Sequence, residues 1–277
     1  MKRYTQLTTL ACILAFLPSG LLIAQDEAEP VMPAFETLTL VDNQTTANPY
    51  KGQMVLEIQH RFSEIAEIAD LFGIYGSANT RIGLSYGITD KIMLGFGTTR
   101  NYMLQDLEWK YSILTQTSKM PVSLSYHGNV VLDARNSKYF GPEEEYKFAY
   151  RASYLNQLIV STRIGDRISL QAAPTFVYFN AVPEGYNNIN AAINMGARFQ
   201  VLGFHSIILE YDQPLIDAEE DVYPNLALGL EIGTSTHSFR VFASNYNSIV
   251  RNHGIAFNSN NPLDGDFQFG FNITIRF

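Results

Sequence analysis

The chain has a single cysteine, Cys12, which lies inside an apolar stretch near the N-terminus. A lipid-bearing cysteine would follow its apolar run, whereas Ile13 to Leu17 continue this one, so no lipid anchor is expected. Removing that stretch leaves no thiol, which excludes disulfides and cysteine-based metal sites. Long apolar runs are also missing beyond the first 25 residues, so no transmembrane helix is expected. Basic residues are in deficit, with 19 Lys and Arg against 27 Asp and Glu. Without Lys2 and Arg3 the 19 become 17, and the net charge falls from −8 to −10. A nucleic-acid partner needs a basic footprint and is not expected. His60, His127, His205, His237 and His253 show no metal-ligand spacing. No glycine-rich phosphate loop and no nucleophile elbow occurs, so neither a cofactor nor a metal is expected.

What the sequence does contain is alternation, cleanest in the last twelve residues, D-F-Q-F-G-F-N-I-T-I-R-F. Phe267, Phe269, Phe271, Ile273, Ile275 and Phe277 share one parity, and Asp266, Gln268, Gly270, Asn272, Thr274 and Arg276 the other. Side chains of a strand alternate between faces, so this is a strand with one apolar and one polar face. A tilted strand crosses a bilayer with about 9 to 11 residues. In a soluble sandwich the polar face would be rich in Lys and Glu rather than Gly, Asn and Thr. The terminal Phe277 resembles the signal that the assembly machinery of bacterial outer-membrane barrels reads.

Three regions are expected. Residues 1–24 read as a secretory signal peptide, with Lys2 and Arg3, an apolar Leu7 to Leu17 and a cleavage site after Leu22-Ile23-Ala24. Residues 25–53 carry prolines and acids and read as a periplasmic lead-in. Residues 54–277 read as an all-β transmembrane up-and-down barrel of about twelve antiparallel strands, at about 54–62, 79–87, 91–99, 106–116, 121–132, 148–163, 167–180, 189–200, 205–213, 225–233, 237–246 and 266–277. The connections alternate long and short, as short periplasmic turns and longer outside loops require, and a Greek-key sandwich has no reason to sort its loops this way. Aromatic content of 13% with a mean hydropathy of −0.04 fits lipid-facing and lumen-facing residues that cancel along the chain. Helical spacing appears only at Ile65, Ile68, Ala69 and Phe72, which suggests a short helix in the first outside loop.

His60-Arg61-Phe62, Leu71-Phe72-Gly73, the run from Arg81 to Asp90 and the run from Lys110 to Gln116 together resemble an uncharacterised outer-membrane β-barrel family known mainly from Bacteroidota. The resemblance implies fold and location, and it carries no activity and no site residue.

With the polar parity inward, the lumen-lining candidates are Arg61, Arg81, Lys110, Arg151, Arg163, Arg198, Arg240 and Arg276, with Glu57, Glu108, Asp133, Glu210, Asp212 and Glu231. Both signs on one wall can form a plug of salt bridges or flank a narrow pore. A narrow channel for small solutes or a structural barrel is therefore the expected function. A docking role for loops 63–78, 133–147 and 247–265 is the alternative. A barrel enzyme could draw on Ser125, His127 and Asn129, but i, i+2 spacing on one strand holds Ser and His outside hydrogen-bond reach, so no catalytic residue is expected. The acidic runs Glu143-Glu144-Glu145 and Glu219-Glu220-Asp221 read as solvated loop charge. Tyr86, Tyr102, Trp109, Tyr111, Tyr126, Tyr150, Tyr154, Tyr178 and Tyr211 are candidates for aromatic girdles. The expected partners are membrane lipid, lipopolysaccharide, the assembly machinery and an unspecified envelope protein.

Overall fold

The computed structural model describes Glu29, residues 31–65 and residues 73–277. The expected signal peptide, Cys12 and most of the expected loop helix lie outside the described residues. Twelve antiparallel strands close into a barrel: β1 (Met54–Glu64), β2 (Asn79–Thr89), β3 (Ile92–Thr99), β4 (Leu104–Leu114), β5 (Ser123–Asp133), β6 (Ala152–Ile164), β7 (Ile168–Phe179), β8 (Ile189–Leu202), β9 (His205–Pro214), β10 (Asn225–Gly233), β11 (His237–Ser244) and β12 (Gln268–Arg276). Each strand pairs with the next, and β1 pairs with β12 to remove both edges. Closure satisfies the backbone of every strand internally, which hydrocarbon demands.

The register aligns the two parities around the ring. Across the β1–β12 seam Leu56 faces Ile275, Ile58 faces Ile273 and His60 faces Phe271, all on the outer surface. His60 stacks on Phe271 with ring centroids 4.9 Å apart. On the inner surface Glu57 faces Thr274, Gln59 faces Asn272 and Arg61 faces Gly270. The polar parity is the buried one: on β4 Asp106, Glu108 and Lys110 are buried, while Leu107 and Tyr111 are about half exposed. A soluble barrel reverses this distribution, so the outer surface is built for lipid. No described helix is long and apolar enough to cross a membrane.

Among the strands and turns, two stretches differ from the sequence expectation. Residues 148–151 form a 3-10 turn ahead of β6, because Arg151 donates to the carbonyl oxygens of Asp133 and Arg135 and is held at the rim. The alternating Phe148, Ala149, Tyr150 and Arg151 imitate a strand without pairing as one. The alternation of loop lengths also has an exception. The β4–β5 connection spans 115–122, because Thr117 accepts the Met120 N–H and Pro121 has none to give, whereas the β3–β4 loop spans only 100–103. Part of the aromatic set sorts by height, while Trp109 lies midway along β4. By register Tyr86, Tyr111 and Tyr126 sit at the short-turn end, and Tyr154 beside Tyr178 at the long-loop end.

Residues 33–49, part of the segment expected as a periplasmic lead-in, fill its lumen. They form a finger whose two limbs are joined by an antiparallel bridge between Thr39 and Gln44. Leu40 N–H donates to Asn43 O at 2.9 Å, closing the tip over Leu40–Asn43. Ala34, Phe35, Leu40 and Val41 pack with Ile208, Ala227 and Phe242 of the wall and with Tyr246 just beyond β11. The fit is tight. A Cβ placed on Gly196 would come 2.9 Å from Leu40 Cδ2, and one on Gly87 would come 2.8 Å from the Pro49 carbonyl oxygen. The sequence hid this segment because nearly all of its partners are distant in the chain.

Candidate functional site: the lumen and its two closures

The wall supplies charge in matched pairs. Arg81 of β2 grips Asp106 of β4 with two bonds, Nε to Oδ1 at 3.0 Å and Nη2 to Oδ2 at 2.6 Å. The guanidinium lies flat on the wall above Gly83, where a Cβ would come 2.6 Å from Nη1. Arg198 of β8 donates to Glu231 of β10 at 2.7 Å, and Arg240 of β11 to Glu57 of β1 at 3.2 Å. Desolvating such charges is costly, and these partners offset the cost only while they stay in place.

The finger completes these pairs. Asp42 accepts from Arg61 at 2.5 Å and from Gln59 at 3.1 Å. Gln44 bridges Lys110 and Glu108, accepting from the first at 2.9 Å and donating to the second at 3.0 Å. Arg240 donates to Leu40 O at 2.9 Å, and Arg276 to Glu36 O at 2.6 Å. At the tip the successive backbone N–H groups of Val41, Asp42 and Asn43 converge on the Glu210 carboxylate of β9, at 2.5, 3.1 and 2.9 Å. Three consecutive amides around one anion form a nest, here closed on a side chain of the wall.

A second closure comes from the long-loop end. The β11–β12 loop folds inward and carries a short helix, α1 (Arg251–Ala256), all six of whose residues are buried. Ile255 and Ala256 pack with Leu155, Val177, Phe179 and Ala192. Asn252 donates to Ser153 at 3.0 Å, and Arg251 pairs with Asp212 of β9. His253 touches Tyr102, Phe179 and Phe257. Burial pushes its pKa down to about 4; Asp133 opposes the shift and Arg135 adds to it. About 30 Å³ of free space remains between finger and cap, bordered by Asp42, Gln59, Arg81, His127 and Arg251. That is room on the scale of a water molecule.

The match to known families decides what this barrel is. Residues 35–277 match the family described as "Membrane bound beta barrel domain (DUF5777)". The chain belongs to that family. The match begins inside the finger, so plug and barrel are one family unit. No curated protein matches this DUF5777 chain. Among solved structures, the NanC porin is similar with a TM-score of 0.52 at 8% identity, over 80% of this chain and 98% of the other. An outer membrane channel from Pseudomonas putida F1 gives 0.44 at 10% identity, over 83% and 96%. The outer membrane phospholipase A from Escherichia coli gives 0.43 at 11% identity, over 87% and 98%. At these identities the likeness is one of fold. The DUF5777 chain is an outer-membrane β-barrel protein of porin-like architecture.

Of the lumen-lining candidates, Arg61, Arg81, Lys110, Arg198, Glu210, Glu231 and Arg240 are buried on the inner face. Arg276 is half-buried and reaches the finger. Arg151 lies at the rim, outside the lumen wall. Phe277 follows β12 and is exposed. Asp106 was missed although it shares the parity of Glu108, a signal present in the sequence. Asp42, Gln44 and Arg251 had no such signal, since they sit in segments without alternation. Ser125, His127 and Asn129 do share the inner face, but His127 Nε2 contacts Glu108 at 3.3 Å, and the Ser125 hydroxyl has no hydrogen-bond partner among the described residues.

Proposed function

We propose that this outer-membrane barrel is a narrow channel for small solutes, held closed at rest by its own N-terminal finger and by α1. One observation carries the reading: both limbs of the finger leave the barrel at the same end. Pro33 lies by Arg163 near the β6–β7 turn, and Asn48 donates to Lys91 O at the β2–β3 turn. A hairpin inserted and retained from one side can withdraw along its own path without unthreading any strand. Its withdrawal together with displacement of α1 leaves a lumen lined by Arg61, Arg81, Lys110, Arg198 and Arg240 interspersed along the wall with Glu57, Asp106, Glu108, Glu210 and Glu231. Such a polar lining of both signs suits small polar solutes.

In this reading the protein is not an enzyme. The outer surface meets lipid and lipopolysaccharide, and the β12 segment ending at Phe277 is what the assembly machinery recognises. On the family resemblance we place its source among the Bacteroidota. The test is conductance of the full chain in a planar bilayer beside a variant lacking residues 34–48, each checked for folding by heat-dependent gel migration. The variant should conduct steadily, with a current altered by Arg81→Ala or Arg198→Ala. A folded, silent deletion variant would refute the channel. A second reading, docking of an envelope protein, draws on exposed Ile74, Tyr75, Tyr139 and Leu263 in the long loops. Crosslinking at Tyr75 and Leu263 in intact cells tests it.

A further inference from the structure

Above α1, at the long-loop end, the barrel mouth holds a cavity of about 600 Å³. Its size falls in the range of small-molecule sites, about 300 to 1,000 Å³. The floor is α1 and its C-terminal flank, through His253 and Phe257, and the rim carries exposed Tyr102 and Tyr139. Nearly half of the lining residues carry rings, and those around Phe257 are turned against one another. Phe179 and Phe257 meet at 62°, Tyr186 and Phe257 at 80°, and His253 and Phe257 at 68°. Rings so disposed cannot sandwich a planar ligand. They offer faces and edges in several directions, which suits a puckered saturated ring whose C–H groups carry slight positive charge toward the negative aromatic face.

The charged side chains at the cavity already have partners within the protein. Arg135 holds Asp133 through Nε at 3.0 Å and Nη2 at 2.6 Å, and its guanidinium lies over Tyr102 at 4.4 Å and Tyr139 at 4.8 Å. Arg151 is used by the carbonyl oxygens of Asp133 and Arg135. The one uncompensated cation among the described residues here, Arg151, is engaged through Nε and Nη1 with the Tyr146 hydroxyl and those two carbonyl oxygens, while a fixed carboxylate and a fixed guanidinium provide an acceptor and donors for hydroxyl groups.

We propose that this vestibule binds a neutral oligosaccharide of two or three sugar rings, stacked on the tyrosines and hydrogen-bonded to the Asp133–Arg135 pair. The ligand rests on α1, so it touches the outer closure of the lumen. That the same sugar is the transported solute rests on the channel reading above; the binding site itself does not.

Isothermal titration calorimetry of the full chain in detergent micelles tests it, with maltotriose and cellotriose as neutral probes, a galacturonate trimer as the anionic probe and tryptophan as the planar one. A neutral trisaccharide should bind with a dissociation constant in the millimolar range or tighter. Tyr139→Ala and Tyr186→Ala should each weaken it by about tenfold, as loss of one ring contact would. Tyr139→Phe should retain most of the affinity. Silence with both neutral sugars, stronger binding of galacturonate or tryptophan, or affinity indifferent to Tyr139→Ala and Tyr186→Ala would overturn the proposal. The failures are separable: sugar binding with a silent bilayer refutes the channel alone, and conductance without sugar binding refutes the vestibule site alone.

Discussion

Asn43 at the tip of the finger and Arg251 of α1 share one carboxylate, that of Asp212 on β9. Asn43 Nδ2 donates to Oδ1 at 2.7 Å, and Arg251 pairs with Oδ2. The closures entering from opposite ends of the barrel therefore meet on a single wall residue. Asp212→Ala leaves Arg251 buried without its partner, and breaking such a pair costs about 3 to 5 kcal/mol. Hydrogen exchange should accelerate in residues 41–43 and in 251–256 together. Acceleration in only one of the two segments would show that the closures are independent.

Glu210 holds the finger by its backbone. Because three N–H groups converge on it, Glu210→Ala removes their acceptor at once, and each buried group left unsatisfied costs about 1 to 3 kcal/mol. Glu210→Gln keeps a carbonyl oxygen and should have a smaller effect. The amides of Val41, Asp42 and Asn43, followed by hydrogen exchange, should rank wild type slowest, Gln intermediate and Ala fastest. Equal rates in all three proteins would mean that the nest does not retain the tip.

Trp109, the only tryptophan, reports on which surface faces lipid. It lies on the outward face of β4, where its ring lies over Gly128 across the strand pair. Brominated acyl chains should quench its fluorescence strongly and aqueous iodide weakly. Gly128→Ala sets a Cβ against the indole and should shift its emission while the barrel remains folded. Quenching by iodide alone would reverse the assignment of inner and outer faces.

His253 makes the outer closure sensitive to acid. Its pKa in the docked state is about 4, below the ordinary 6.5, so the released state binds the proton first. Docking of α1 is then at full strength above about pH 6.5 and weakens as pH falls from there toward 4. Hydrogen exchange in residues 251–256 should rise across that window and level off below it. His253→Phe, which keeps a ring among Tyr102, Phe179 and Phe257, should abolish the slope. A slope that survives this substitution would place the sensitivity elsewhere.

The legibility of this chain divides along a physical line. Strands of a lipid barrel announce themselves because each residue must suit one of two surroundings two residues apart, so Phe269, Phe271 and Ile273 against Gly270, Asn272 and Thr274 could be read directly. The inner-face residues followed from the same parity, down to Glu57 against Thr274. The closures obey no period. Asp42, Gln44 and Arg251 are fixed by bonds to wall residues such as Arg61, Glu108 and Asp212, and nothing within a short window marks such pairings. Arg151 failed for the opposite reason, since a locally alternating run ended in a turn pinned by carbonyl oxygens.

Thr46 and Ser161 offer the most direct test of a movable finger, because their hydroxyl oxygens lie 2.5 Å apart between finger and wall. Sulfur atoms at those positions fall near disulfide distance, about 2.05 Å, and Cys12, the only native cysteine, belongs to the expected leader. Single-channel recording of Thr46→Cys/Ser161→Cys should show a silent barrel while oxidised and openings after reductant is added, with wild type gating under both conditions. Identical currents in the oxidised and reduced protein would contradict a lumen closed by its own N-terminal segment.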